Sequence, residues 1–310
     1  MTIMEAAALK DRIVLFRLLG VSLLWGFNYV ASAYLLRDFS PIFLSYSRLL
    51  LTSLFLITVG VIGGKMKRPT GRDIALLIFA GFFGTLLNQF FYFTGLQGST
   101  AGNASLIIAL SPVATIFLAR LFLGESITVY KLAGSLIALA GVALIVLFGG
   151  KALGISHGDV YLLLAMLALS VSLLFIRRLT RSMASYDITI LATVIGTILM
   201  TPAAVMEGIQ GHLHVSAHAT MWIILAAAAI FGQGLAGFWW NQGISAVGAS
   251  TSSMFMNIPP FVAIVVAYFV LGDPIRPAQI AGGVLILLGV ALSNYKLNAA
   301  SKKAAQTLRT

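Results

Sequence analysis

Ten long apolar runs divide this chain, at roughly residues 14–36, 41–62, 73–97, 100–123, 128–149, 159–176, 187–206, 219–246, 248–271 and 277–296. A helix needs about 20 mostly apolar residues to cross the hydrocarbon core of a membrane, and most of these runs reach that length. Composition agrees. Of the 310 residues, 59% are hydrophobic and 9% charged, against roughly 25% charged in soluble domains. The expected fold class is an all-α membrane protein with ten transmembrane helices.

Part of the pattern is written twice. Residues 84–144 align without a gap on 232–292, with 19 of 61 positions identical. Gly84 falls on Gly232, Gly95 on Gly243, Pro112 on Pro260, and Gly141-Val142-Ala143-Leu144 on Gly289-Val290-Ala291-Leu292. Glycine and proline fix backbone geometry, so their agreement marks a duplication rather than shared oiliness. Ten helices in two halves give five each, and five is odd. The second half must run through the membrane in the opposite sense. Two five-helix inverted repeats are expected, at 14–149 (helices 1–5) and 157–296 (helices 6–10).

Charge placement sets the orientation. With the N-terminus in the cytoplasm, sixteen Lys and Arg fall inside, Arg37, Lys151 and Arg276 fall outside, and Arg48 sits within a span. This positive-inside bias predicts a multi-pass protein of the cell (inner or plasma) membrane with both termini cytoplasmic. The net charge of +11 is then a topology signal, with no basic, aromatic-interleaved patch for nucleic acid. Lys10, Arg12, Arg17 and the Ala31-Ser32-Ala33 triplet imitate a cleaved signal peptide, but removing that span would destroy the five-plus-five count. Cysteine is absent, and His212, His214 and His218 lack carboxylate or thiolate support, so no metal or cofactor is expected.

Polar residues inside the spans are the candidate site. Trp25 and Asn28 share one face of the first span; the amide reads equally as helix–helix glue and as lining of a polar path. Arg48 is the one ionised side chain well inside a span. It either pairs with carbonyls and interface groups or attracts an anionic group of a substrate. In the third span Gly84, Asn88, Tyr92 and Gly95 follow at helical spacing, and Asn103 and Ser111 lie in the fourth. Pro112 there, and Pro259 and Pro260 beside Asn257 in the ninth span, are expected to bend their helices and free a carbonyl. Paired breaks in two halves point to a mid-membrane binding site. Trp240 occupies the place of Tyr92 in the second copy. The Gly134–Gly141 and Gly282–Gly289 pairs have no polar face and read as packing surfaces or as the seam of a homodimer.

These residues carry a resemblance. Trp25-Gly26-x-Asn28, Arg48, Ser111-Pro112, Leu123-Gly124-Glu125 and Gly134-x6-Gly141-Val142, with the second copy, resemble the drug/metabolite transporter superfamily, specifically an EamA-type ten-helix member made of two EamA repeats. The likeness covers residues 14–296. It implies that the first four helices of each half enclose a central cavity, that the fifth and tenth lie outside it, and that small molecules are exported. One departure is visible: the sixth span has Leu169, Ser170 and Ser172 where the first has Trp-Gly-x-Asn, so the cavity is asymmetric.

The expected function is a secondary transporter of amino acids or related small metabolites, working among membrane lipids by alternating access. Efflux of amphipathic drugs or toxic compounds is the alternative, since Tyr92, Trp239 and Trp240 suit flat apolar ligands. An intramembrane enzyme would need a nucleophile with a base, or a metal set. Here all nine Asp and Glu fall at helix ends or in loops. The same placement predicts transport down the substrate's own gradient, uncoupled from any titrating carboxylate within the membrane.

Overall fold

The computed structural model describes residues 3–63, 69–123, 127, 129–148, 156–247, 255 and 258–293. Among them every regular element is a helix. Numbered by apolar run, α1 is Ile3–Leu35, α2 Pro41–Gly63 and α3 Gly71–Gln97. The α4 run consists of two helices, Ala101–Ile108 and Ser111–Leu123. Then come α5 Val129–Phe148, α6 His157–Leu179 and α7 Ser185–Ile209. The α8 run joins Ala219–Ala227, Ala228–Leu235 and Ala236–Val247, and α9 Pro259–Leu271 and α10 Pro277–Ser293 follow. Asn257 and the Gly124-Glu125 pair lie outside the described residues.

Among the described residues seven helices are long and apolar enough to cross a membrane: Ile13–Leu35 of α1, α2, α3, α4, α6, α7 and Ala219–Gly243 of α8. The apolar stretches Leu132–Ile145, Pro259–Leu271 and Pro277–Leu292 are shorter. Of the ten expected spans, seven thus reach membrane-crossing length among the described residues. In the ninth run the described helix opens only at Pro259, because proline lacks an N–H and suits a first helical turn. The outer surface is apolar, with Phe16, Leu121 and Phe269 each more than 70% exposed, while Arg48, Asn103, Asp159 and a set of Ser and Thr are buried. Such an inside-out distribution suits hydrocarbon surroundings.

The two halves interlock. α6 packs on α3 and α4, while α1 packs on α8 and α9. Side-chain contacts recur in step. A Cβ on Gly84 would strike Ser172 of α6, and one on Gly232 would strike Asn28 of α1; Ser172 is the residue aligned with Asn28 above. Ser170 donates to the Ser111 carbonyl at 3.1 Å, and in the other half Gly26 closes on the Pro259 carbonyl. Thr52 of α2 donates to the Ala229 carbonyl at 3.2 Å, where Gly196 of α7 meets the Gly81 carbonyl. The duplication thus reaches down to individual contacts.

Two irregularities also match. α3 holds a π-helical turn at Phe82–Leu87 and α8 one at Ala228–Leu235. A shift of 148 puts the first wholly inside the second. Such turns are rare and concentrate at functional sites. Pro112 stands at the second position of the helix that follows a break at Ala109-Leu110, and Pro259 and Pro260 open α9. The prolines begin helices rather than bend continuous ones. The glycine pairs of α5 and α10 face each other: Gly141 lies against the Gly282 carbonyl and Gly289 against that of Gly134. That seam lies within one chain.

Candidate functional site

α2 aims Arg48 inward from about two turns below its start. Pro41 opens this helix without an acid in its own first turn, so its free N–H groups need an outside acceptor. Glu207, at the end of α7, supplies it: the carboxylate accepts from Phe43 N at 2.7 Å, Ile42 N at 3.2 Å and the Ser40 hydroxyl at 2.8 Å. Anchored in this way, α2 points the guanidinium at α1. One Nη donates to the Ser32 hydroxyl and the other to Asn28 Oδ1 at 2.6 Å. Ser32 in turn donates to the Asn28 carbonyl at 2.6 Å, which fixes its lone pairs toward Arg48. The cation also lies 5.2 Å from the Phe93 ring centre of α3, a favourable placement.

Arg48 is 1% exposed. No carboxylate pairs with it among the described residues, and its Nε has no partner. Every acceptor it has is neutral. A buried cation without a counter-charge costs several kcal/mol, so the pocket is electrostatically incomplete. An incoming carboxylate or phosphate would complete it through charge-assisted hydrogen bonds.

The candidates separate into two groups around this centre. Trp25, Asn28, Arg48, Tyr92 and Trp240 lie in one neighbourhood: Trp25 and Trp240 rings are 5.2 Å apart, and Tyr92 meets Tyr29 at 6.0 Å and Phe93 at 5.1 Å. Asn88 and Ser111 instead meet α6, and Asn103 lies between α6 and α10. Asn88 Nδ2 donates to the Ala165 carbonyl at 2.9 Å and its Oδ1 accepts from Gln89. Gly84, Asn88 and Gly95 all close on α6. Asn103 is fully buried, accepting from Gln279 Nε2 at 2.8 Å and donating weakly to Asp159 Oδ1 at 3.4 Å. Ser111 is held through its carbonyl by Ser170.

Several members of these groups escaped sequence reasoning. Ser32 and Thr52 follow Asn28 and Arg48 by one helical turn, a spacing that could have flagged them. The same Thr52 hydroxyl lies 3.1 Å from Gln233 Oε1, placing α2 against the π turn of α8. Asp159 was expected at a span end and sits there, yet it is 0% exposed, with Ser99 donating to Oδ1 at 2.5 Å and Oδ2 unpartnered. Position along a helix does not report depth within a bundle.

The EamA-like transporter family model matches residues 12–147 and again 156–295. The chain belongs to that family. It is a multi-pass membrane transporter, made of two copies of the family unit. An uncharacterized transporter of Bacillus subtilis (strain 168) is 29% identical over 278 residues, covering 88% of this chain and 90% of its own. A probable terminal-alkyne amino-acid exporter of Streptantibioticus cattleyicolor is 32% identical over 256 residues, covering 82% and 84%. A solved crystal structure matches with a TM-score of 0.63 at 17% identity, over 93% of this chain and 99% of that one. That last likeness concerns the fold.

Proposed function

We propose that this EamA-like protein is a secondary transporter exporting amino acids or related small metabolites, with Arg48 holding the substrate carboxylate. The observation that carries the reading is the buried guanidinium with neutral partners and an unbonded Nε. In this reading the chain forms ten spans in two inverted halves, 14–149 and 157–296, with both termini cytoplasmic in the cell membrane. The halves rock about the Arg48 neighbourhood to give alternating access. Trp25, Asn28, Tyr92 and Trp240 line the substrate path, and Asn103, Ser111 and Asn257 complete it in another state of the cycle. The probable terminal-alkyne amino-acid exporter of Streptantibioticus cattleyicolor, at 32% identity, supports this substrate class.

A second reading, efflux of amphipathic compounds, draws on the Trp25–Trp240 pair, which offers a flat apolar surface. One experiment separates the two. Purified protein in sealed vesicles loaded with a mixed amino-acid pool is assayed by mass for what leaves. Selective efflux of amino acids above protein-free vesicles supports the first reading. Efflux of aromatic dyes with no amino acid leaving supports the second.

A further inference from the structure

A groove of about 300 Å3 runs between α1 and α8, lined by Leu24, Phe27, Asn28 and Ala31 on one side and by residues including Ala227, Phe231 and Gly232 on the other. Its mouth opens on the outside of the bundle, where Phe27 and Phe231 are each about half exposed. It is small but within the roughly 300–1,000 Å3 range of small-molecule pockets. The lining is hydrocarbon except at Asn28. That residue belongs to both places: Oδ1 holds Arg48 at 2.6 Å, while Nδ2 donates to no described residue. Gly232 permits this, because a Cβ there would lie 2.7 Å from Asn28 Oδ1. The groove floor is therefore the near wall of the cation site.

We infer that the groove is a specificity subsite that takes the unbranched hydrocarbon chain of the transported carboxylate. The inference rests on the amino-acid reading above. The carboxylate accepts from Arg48 and Asn28 Nδ2, and the chain leaves outward between Phe27 and Phe231. The argument for this occupant over a membrane lipid is charge: the apolar groove ends on Asn28, whose other side holds the unneutralised Arg48, which matches an amphiphile with one anionic end. Substrate preference then grows with chain length until the groove is full, by roughly fourfold per methylene taken from water.

The test measures initial efflux of 2-aminobutyrate, 2-aminohexanoate and 2-aminooctanoate from vesicles, below saturation and corrected for protein-free leak. Ala31→Trp and Ala227→Trp fill the groove without touching Arg48. Expected is a rise with chain length in the wild type that both variants flatten, with 2-aminobutyrate efflux within about twofold of wild type. A flat wild-type series, or a rise surviving both substitutions, overturns the subsite while leaving amino-acid export standing. Should the Trp variants lose all flux, Ala31→Val and Ala227→Val give a graded filling. A chain-length rise unchanged by them overturns the proposal, and one that weakens supports it. A photolabel, 2-aminooctanoate carrying a terminal diazirine, reads binding without transport. Labelling of residues 24–31 and 224–232 that 2-aminooctanoate displaces supports the subsite. Labelling displaced only by added phospholipid shows a lipid surface and overturns it.

Discussion

Arg48 and Glu207 are two buried charges in opposite circumstances. Glu207 is balanced by three donors at the start of α2 and by the positive end of that helix. Arg48 is met only by neutral acceptors. The first arrangement is complete, and the second has no counter-charge among the described residues. Glu207→Ala should therefore cost stability, about 2 kcal/mol from lost charge-assisted hydrogen bonds, read as a lower melting midpoint in detergent. Flux per folded molecule should persist. A midpoint equal to wild type would show that the cap contributes nothing. Arg48 was legible in the sequence as an ionised residue within an apolar run, and Asn28 as a buried amide. Their union was not, since α1 and α2 can be rotated in many ways that preserve the same apolar pattern. Glu207 and Asp159 escaped for a related reason: burial at a helix end is set by the neighbouring helices.

At the scale of elements, glycine decides which helices touch. Gly141 of α5 approaches the Gly282 carbonyl of α10 so closely that a Cβ would lie 2.5 Å from it. Backbone cannot give way as a side chain can. Gly141→Leu should cost about 3 kcal/mol, the upper end of overpacking penalties, and a thermal melt within error of wild type would contradict the seam. Pro112 belongs to a different class. It lacks the N–H that could bond back to Ile108 across the break in α4. Restoring that donor with Pro112→Ala should let α4 close into one continuous helix. Expected is a flux loss of about tenfold, or 1.4 kcal/mol in the rate-limiting step, with an unchanged or higher melting midpoint. A comparable flux loss is expected from Pro260→Ala at the start of α9, and wild-type flux from both would remove these prolines from the moving parts. The prolines were readable in the sequence as paired interruptions. The π turns at Phe82–Leu87 and Ala228–Leu235 were not, because no residue type demands a π turn as proline demands a break.

For the whole molecule, contacts recur between the halves, which is the physical ground for the proposed rocking motion. Gly84 with Ser172 and Gly232 with Asn28 are equivalent pairs, so two related packings of one sequence pattern can exchange. Arg48 breaks that equivalence: Ala192 stands at the matching place of α7. Among the described residues four carboxylates, Asp73, Asp159, Asp187 and Glu207, are buried, all near helix ends, so uncoupled transport remains the expectation. With no substrate gradient and voltage clamped by potassium and valinomycin, an imposed pH gradient should drive no accumulation. Accumulation that collapses with the pH gradient would refute it. The central claim is that one buried, unpaired guanidinium holds the carboxylate of the cargo. Amino-acid efflux from vesicles holding wild type, Arg48→Lys and Arg48→Gln at equal reconstituted amounts tests it directly. Losing a charge-assisted hydrogen bond costs about 1.5–3 kcal/mol, so Arg48→Gln should lower efflux at least tenfold, with Arg48→Lys between the two. Undiminished efflux from a folded Arg48→Gln protein contradicts the claim.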